Sequence, residues 1–402
     1  MIGLLLAIAI VFACLVLHPF VTYPLSLRLF VGLGLFDRRP LRPVPAGLPQ
    51  GQVALCVCAY NEEQVIAAKV ENMLAAGQAI GGAIGGVDIL VYVDGTTDRT
   101  AEILREYGDR IRLVLSPARL GKTHGMNTLV DMTSAEFVVF TDANVLFAPD
   151  ALKPLLAPFA DPAIGCVCGH LVYTRSQATG TAATGSLYWR LEEAIKTLES
   201  ATGSVMGADG SIFALRRAAH EAPPADLIDD MYISLAALCS GYRVVRAADA
   251  IAYEDAVSRP AEEFRRKIRI ACQAFNVHRA LWPRLRRLRP LDLYKYVSHK
   301  LLRWLTVFFL ALSAFAFCLA IAVAQAWWLL GTLLIAGGLA AVALATAQHG
   351  ILATIRGVLG AFAATGIGVV RSCRGDRFQT WSPPVSARRL PTESASSATV
   401  DS

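Results

Sequence analysis

Charged residues are scarce in this chain of 402 residues: they make up 17% of it, whereas hydrophobic residues make up 54%. Soluble domains usually carry about 25% charged residues. The shortage is greatest at the two ends of the chain, where long apolar runs occur. No internal repeat is visible. The composition therefore excludes an ordinary soluble protein of this size.

Cysteine spacing typical of metal sites is also missing. The chain has nine scattered cysteines, and Cys56/Cys58 and Cys166/Cys168 are each separated by one residue within an apolar run. Zinc sites usually have wider spacing, and alternate residues of a strand share one face. We therefore expect buried free thiols in a reducing compartment rather than zinc ligands.

The apolar runs at the two ends have the length of membrane segments. Met1–Leu35 is nearly uncharged, is long enough to cross a bilayer, and has neither a basic start nor an evident cleavage site. We expect it to be a retained anchor. Leu305–Val323 and Trp327–Ala345 are predicted to span the membrane. Ile351–Val370 fits either a further span or a helix at the interface.

These runs divide the chain into five segments. Between the apolar ends, a stretch of mixed polarity is long enough for one substantial domain. The predicted segments are an N-terminal transmembrane anchor at 1–36, a linker at 37–50, a catalytic domain at 51–290, C-terminal transmembrane or interfacial helices at 291–371, and a largely disordered tail at 372–402.

Basic residues cluster beside the predicted spans. The net charge is +6, from 38 Lys and Arg against 32 Asp and Glu. The clustered residues are Arg265, Arg266, Lys267, Arg269, Arg279, Arg284, Arg286, Arg287, Arg289, Arg371, Arg374 and Arg377. Positive charge beside spans marks the cytoplasmic side, so we expect a multi-pass inner-membrane protein with a cytoplasmic domain. A nucleic-acid patch is the alternative, but contact with membrane lipids explains a cluster in this place.

Short apolar runs alternate with helical patterns in the central domain. The predicted strands are Val53–Cys58, Asp88–Val93, Ile111–Leu115, Phe137–Phe140 and Ile164–Cys168. Apolar positions at helical spacing follow the first strand, and Thr97 or Asp98 is placed to cap the helix after the second. This alternation predicts an α/β fold with a mostly parallel sheet covered on both faces.

Polar residues follow three of these strands. Tyr60 and Glu62 follow the first, Asp94 ends the second, and Asp142-Ala143-Asn144 follows the fourth. The carboxyl ends of parallel strands meet at one edge of the sheet, where such folds bind ligands. Hard oxygen ligands there suit Mg²⁺ or Mn²⁺. Each motif alone also fits an ordinary turn or helix start.

Three further features suit transfer to a hydroxyl. Lys122, after Gly121, can supply a cation to phosphates, although Gly121-Lys122 is too short for a phosphate loop. Asp209 lies in Gly207-Ala208-Asp209-Gly210, and Asp229-Asp230 opens an apolar helical pattern. A paired carboxylate at a helix start fits a cap, and it also fits a general base.

In this order the motifs resemble the family 2 glycosyltransferases, in the membrane-bound bacterial branch related to hyaluronan, chitin-oligosaccharide and cellulose synthases. The resemblance covers about Val53 to Trp304. The motifs that carry it are Ala59-Tyr60-Asn61-Glu62-Glu63, Asp94-Gly95-x-x-Asp98-x-Thr100, Gly121-Lys122, Asp142-Ala143-Asn144, Gly207-Ala208-Asp209-Gly210, Asp229-Asp230 and Ser298-His299-Lys300-Leu301-Leu302-Arg303-Trp304.

The resemblance implies a GT-A fold and an inverting transfer from a nucleotide-diphosphate sugar, usually a UDP-sugar. It also implies roles by position. Tyr60 and Glu62 would line the nucleoside pocket, Asp94 would contact uracil or ribose, Lys122 and Arg269 would meet the diphosphate, Asp142 and Asn144 would hold Mg²⁺ or Mn²⁺, Asp209 and Asp229 would face the acceptor, and Asp230 would be the catalytic base.

Two departures from the family pattern stand out. Asn144 replaces the second Asp of the usual metal motif, so it adds no charge. Ile270 replaces the tryptophan of the Gln-x-x-Arg-Trp motif of processive synthases, while Arg269 is kept. We therefore expect transfer to a lipid-linked or glycan acceptor. A processive synthase that exports its polymer is one alternative, and a catalytically inactive membrane protein that binds nucleotide or partners is another.

Overall fold

In this computed structural model, the described residues are 1–34, 48–49, 51–82, 84–174, 180–255, 260–347 and 350–380, and the side chains of 180–188 and 260 are outside that description. Most of the predicted linker at 37–50 therefore lies outside the described residues, as does the chain beyond residue 380.

Eight strands form one sheet within the described residues. They are β1 Val53–Ala59, β2 Val87–Asp94, β3 Arg112–Ser116, β4 Phe137–Asp142, β5 Leu146–Phe147, β6 Ile164–Tyr173, β7 Ile212–Arg216 and β8 Arg243–Glu254. The five predicted strands are confirmed as β1, β2, β3, β4 and β6.

Helices surround the sheet and extend from the domain. They are α1 Ile2–Leu17, α2 Thr22–Leu33, α3 Ile66–Gly81, α4 Thr100–Arg105, α5 Lys122–Asp131, α6 Leu152–Leu156, α7 Gly180–Ala201, α8 Asp229–Cys239, α9 Pro260–Leu285, α10 Pro290–Tyr296, α11 Leu302–Val323, α12 Trp327–Thr346 and α13 Gly350–Cys373. A π-helical turn, Val297–Leu301, joins α10 to α11.

The sheet is mostly parallel, as predicted, although β5 and β7 run against the other described strands, and the α/β class is confirmed. Its strand order is β3-β2-β1-β4-β7-β6-β8-β5. The half from β3 to β4 is parallel, whereas β7 runs antiparallel to both β4 and β6, and β5 runs antiparallel to β8. The parallel half brings the carboxyl ends of β1, β2 and β4 to one edge.

Burial explains why the strands of the parallel half are apolar throughout. Every residue of β1 is buried, as expected for a strand covered on both faces. One face packs on α3 and α6 through Ile66, Met73 and Leu155. The other face packs on α5, α8 and α9 through residues such as Met126 and Leu235. The two layers hold the strand ends, and the polar residues that follow them, in fixed positions.

The predicted N-terminal anchor is two helices instead of one. α1 and α2 meet at 63°. The break contains Pro19, which has no backbone N–H to continue a helix. Tyr23 and Leu27 of α2 are fully buried and pack with Ile195 of α7. The second half of the predicted anchor therefore lies on the catalytic domain.

Within the part of the chain that the structure describes, three helical segments are long and apolar enough to cross a membrane: Pro290–Val323, Trp327–Thr346 and Gly350–Cys373. A fourth is added if the bent pair α1–α2 counts as one span. The predicted segment at 351–370, left open between a span and an interfacial helix, thus has the length and composition of a span.

The start of the predicted disordered tail is ordered on the catalytic domain. α13 runs to Cys373. After it, Gln379 Nε2 donates to the carbonyl of Leu120 at 2.9 Å, and Gln273 Nε2 donates to the carbonyl of Phe378 at 2.8 Å. These hydrogen bonds, formed with residues distant in sequence, hold a segment of the predicted tail against the domain.

Candidate active site

Four chain segments place polar side chains at one edge of the sheet. β2 ends at Asp94 and β4 at Asp142, while α5 begins at Lys122 and α8 at Asp229. The parallel register sets Cys58 of β1 beside Asp142. The ends of these strands and the starts of these helices therefore share one region, as the order of motifs predicts.

Lys122 joins two of the predicted carboxylates. Its Nζ lies 2.8 Å from Asp142 Oδ1 and 3.3 Å from Asp229 Oδ2. Burial opposes the charge of Lys122, but the neighbouring acids, Asp142 first, hold its pKa well above the ordinary value. Lys122 is thus a fixed cation between the end of β4 and the start of α8.

Asp230 lies beside this cation in the first turn of α8. A Cβ built on Gly210 would lie 2.8 Å from Asp230 Oδ2 and 3.4 Å from Lys122 Nζ, so only glycine fits between the two segments without a shift. Burial and then the Asp229 carboxylate raise the pKa of Asp230 to about 7. A carboxylate with such a pKa can accept a proton efficiently near neutral pH.

Asp209 lies next to a group of charged residues that the motifs do not include. Lys196 Nζ of α7 is 3.6 Å from Asp209 Oδ2 and 3.3 Å from Glu193 Oε1. Glu193 also pairs with Arg246 of β8. The sequence motifs did not identify Glu193 or Lys196, because the contact of Lys196 with Asp209 depends on how α7 packs.

Two aromatic residues lie close to the charged group around Asp209. The rings of Tyr173 and Trp189 are 5.4 Å apart and nearly perpendicular. Lys196 Nζ lies 5.1 Å from the centre of the Trp189 ring. Trp189 and Asp209 therefore contact the same lysine. Aromatic faces and carboxylates are the groups that bind sugar rings and their hydroxyls.

Asp94 lies at the end of β2 and contacts the turn before α5. It is fully buried, and its carboxylate accepts hydrogen bonds from the backbone N–H of Leu120 at 2.7 Å and of Gly121 at 3.0 Å. Gly121 has φ +96°, which favours glycine. Asp94 therefore holds the turn before Lys122, and its contact with uracil or ribose stays a prediction.

Tyr60 and Glu62 have different surroundings in the structure. The Tyr60 ring lies 3.7 Å from the guanidinium of Arg119 in a cation–π contact. Glu62 is only 3% exposed, and its backbone N–H donates to Thr100 Oγ1. Tyr60 lies at the loop beside the candidate site, whereas Glu62 is buried, and the roles of both residues in the nucleoside pocket stay predictions.

Asn144 and Arg269 each contact a neighbour that the sequence did not indicate. Asn144 Nδ2 donates to Glu254 Oε1 at 2.9 Å. Arg269 Nη1 donates to Gln273 Oε1 at 3.1 Å. The side chain of Arg266, one turn earlier on α9, interacts electrostatically with Glu254 and Asp142. The charged surroundings of the site thus extend to the end of β8.

A buried lysine supports the loop after β4. Lys69 of α3 is fully buried. Its Nζ donates to Thr141 Oγ1 at 2.8 Å and to the carbonyl of Val145 at 2.5 Å. Burial lowers the pKa of Lys69 to about 7. Lys69 fixes both ends of the loop that carries Asp142 and Asn144. The sequence did not predict this contact, because Lys69 is a single lysine within an amphipathic helix.

The oxygen atoms present fit a divalent cation that is shared with a diphosphate. Asp142 offers a partly exposed carboxylate, and Asn144 offers its amide carbonyl. Among the described residues, no group of three or more His, Cys, Asp or Glu side chains is arranged to hold a metal ion. Mg²⁺ is usually held by one or two carboxylates together with substrate phosphates, which is the arrangement that Asp142 can supply.

Residues 54–222 match the family model described as glycosyl transferase family 2. The chain carries a family 2 glycosyltransferase domain. This family 2 domain contains Lys122, Asp142 and Asp209. Asp229 and Asp230, at the start of α8, lie a few residues beyond the matched stretch.

Two curated relatives of the family 2 domain are N-acetylglucosaminyltransferases. The one from Rhizobium leguminosarum bv. viciae is 23% identical over 221 residues, 51% of each chain. The one from Rhizobium sp. is 26% identical over 209 residues, 48% of this chain and 46% of the relative. This chain thus spans about half the length of the curated relatives it matches.

A solved structure shares the fold over most of the chain. The mannosyltransferase PcManGT from Pyrobaculum calidifontis, in complex with GDP-Man and Mn²⁺, matches with a TM-score of 0.69 at 22% identity. The match covers 92% of this chain and 99% of that one. The likeness confirms the GT-A-like architecture of the chain.

Replacement of Lys122 tests the electrostatics of this group. The substitution Lys122→Met leaves Asp142 and Asp229 without their cation, and breaking such a pair costs about 3 kcal/mol or more. We expect a lower melting temperature at pH 8 and a smaller loss at pH 5, because protonation of the stranded carboxylates removes their repulsion. Thermal melting of the purified protein at both pH values measures this.

Lys153→Met is the matched control. Lys153 pairs with Asp150 at 3.2 Å, but both side chains are more than half exposed. Exposed pairs contribute about 0–1 kcal/mol. Equal effects of the two substitutions, or a Lys122→Met effect that does not change with pH, would contradict the role of Lys122.

Proposed function

We propose that this chain is an inverting glycosyltransferase that moves a sugar from a nucleotide-diphosphate sugar to a hydroxyl of a lipid-linked or glycan acceptor at a membrane surface. The observation that carries the proposal is the position of Asp230 beside Lys122, with Lys122 in turn bound to Asp142. A base with a pKa near neutrality thus adjoins a cation and a candidate metal ligand.

The donor side of the site suits a charged diphosphate. Lys122 is the cation placed to approach it, and Tyr60 with Arg119 offers an aromatic and cationic surface for the nucleoside. The resemblance favours UDP, whereas the mannosyltransferase of shared fold was solved with GDP-Man. Both nucleotides therefore belong among the candidates for the donor.

The reaction requires one proton acceptor and one stabilised leaving group. Asp230 takes the proton of the acceptor hydroxyl while its oxygen bonds to the anomeric carbon, on the face opposite the diphosphate. The bond from the anomeric carbon to the diphosphate oxygen breaks, and that oxygen keeps the electron pair. Lys122 stabilises the charge of the departing nucleotide. A bound Mg²⁺ or Mn²⁺, held by Asp142 and Asn144, would neutralise part of the same charge.

The acceptor side favours a hydroxyl-bearing substrate that is presented at the membrane. Asp209, Lys196 and Trp189 provide polar and aromatic contacts for a sugar ring. The first candidate span starts inside the catalytic core, since Trp304 is buried against Phe275. Basic residues beside the spans favour an inner-membrane location with the domain in the cytoplasm. A lipid-linked or glycan acceptor would meet the site there.

A donor screen tests the proposal as a whole. Membranes that contain the protein are supplied with UDP- and GDP-sugars, and release of the nucleoside diphosphate is measured with and without Mn²⁺. We expect metal-dependent release from at least one donor. Absence of release across the panel would favour an inactive nucleotide-binding protein. The length of the labelled product separates single transfers from processive synthesis.

Asp230→Asn tests the base. An amide cannot accept the proton, so we expect transfer to be abolished, while binding of the nucleoside diphosphate, measured by calorimetry, stays nearly unchanged. In the wild type, kcat/KM should rise with pH and level off above about pH 8, being about tenfold lower at pH 6 than at the plateau, since Asp230 must be ionised. Normal turnover by the folded variant would exclude Asp230 as the base.

Asp142→Ala tests the cation site. Loss of this carboxylate should weaken nucleotide binding in the presence of Mn²⁺ and should remove most of its dependence on the metal. Asp150→Ala, at an exposed position of the following turn, is the control and should change neither. Identical titrations of Asp142→Ala and the wild type, with and without Mn²⁺, would refute the role of Asp142.

A further inference from the structure

Asn144 stands where the family pattern has a second, charged aspartate, and its amide is held by a carboxylate from another strand. Asn144 Nδ2 donates to Glu254 Oε1 at 2.9 Å. Glu254 is the last residue of β8 and is only 6% exposed. The pairing of Leu146 with Tyr253 fixes the loop after β4 beside this glutamate. The contact is therefore built into the sheet.

The hydrogen bond determines how Asn144 can act. When an amide donates a hydrogen bond through its nitrogen, its carbonyl oxygen points away on the other side of the amide group. That oxygen can still accept a hydrogen bond or bind a metal ion. An aspartate at this position would instead place two carboxylates within hydrogen-bonding distance, and like charges so close cannot both stay ionised. The amide of Asn144 is thus complementary to the Glu254 carboxylate, whereas a second carboxylate in its place would not be.

Glu254 also belongs electrostatically to the candidate site. Burial raises the pKa of Glu254, as do the nearby Asp142 and Asp209 carboxylates, whereas the Arg266 guanidinium and the hydrogen bond from Asn144 favour its charged form. A negative charge on Glu254 would attract a divalent cation at Asp142, as a charge on residue 144 would. The side chain of Asn144 would then lie between this charge and the cation. Groups that hold a metal ligand from behind commonly change metal affinity by about 10–100-fold.

We propose that Glu254 is a positioning residue that carries the second negative charge of the cation site and acts through Asn144. The charge that the metal motif lacks at residue 144 is thereby supplied from the end of β8. This inference rests on the proposed function, because it assumes that Asp142 and Asn144 receive a divalent cation together with the diphosphate of the donor.

A charge-swap experiment tests the inference. Binding of Mn²⁺ to the full-length protein with saturating UDP or GDP is measured by electron paramagnetic resonance of the free ion, so that no turnover is required. Glu254→Gln keeps the shape and a hydrogen bond to Asn144 but removes the charge. We expect it to weaken Mn²⁺ binding about 10–100-fold.

The double variant N144D/E254Q returns the charge to residue 144. An amide at 254 can donate to the new carboxylate, so we expect Mn²⁺ affinity within about threefold of the wild type. Glu263→Gln is the matched control. Glu263 also pairs with Arg266, at 3.8 Å, and its substitution should leave Mn²⁺ affinity unchanged.

The outcomes separate this inference from the proposed function. Wild-type protein that binds neither nucleotide nor Mn²⁺ would refute the proposed function itself. Wild-type binding with an unchanged Glu254→Gln affinity would overturn the inference, as would a folded double variant that binds as weakly as Glu254→Gln. If Glu254→Gln alone does not fold, the double variant decides. A folded double variant with wild-type Mn²⁺ affinity supports the inference, and a folded double variant with weaker Mn²⁺ affinity overturns it.

Discussion

The ammonium group of Lys122, held among Asp142, Asp229 and Asp230, is the interaction on which the candidate site depends. Without a cation, three acids brought to one edge of a sheet would repel each other. With it, the end of β4 and the start of α8 are drawn together. Asp230 has a raised pKa beside this cation because burial and Asp229 outweigh the attraction of Lys122. One lysine thus lies beside both the proposed base and the proposed site for a charged substrate.

The mixed sheet explains how residues so distant in sequence share this group. The parallel half supplies Asp94 and Asp142, and the antiparallel strand β7 follows closely after Asp209. Asp94 serves the site indirectly, by holding the turn from which Lys122 extends. Lys69 and Glu254 hold the loop after β4 from two sides. The edge of the sheet is therefore held in place by buried side chains from several elements.

Much of the parallel half was predictable from the sequence, because uniformly buried strands appear in a sequence as short apolar runs bounded by turn residues. β8 was not, since Arg243, Arg246 and Asp249 interrupt any apolar run within it. Lys69 and Glu254 belong to no motif, and their contacts join residues that are far apart in the chain. The bend between α1 and α2 and the ordered segment after α13 arise from packing on the domain, which composition does not encode.

The central claim is that these residues gather around a diphosphate and its divalent cation. Pulsed electron paramagnetic resonance on the wild-type protein with Mn²⁺ and UDP or GDP measures it directly, through the hyperfine coupling between Mn²⁺ and ³¹P. The account predicts a protein-bound Mn²⁺ that is coupled to phosphorus and is displaced together with the nucleotide. Mn²⁺ bound to the protein without ³¹P coupling, or nucleotide bound with no metal beside it, would contradict the account.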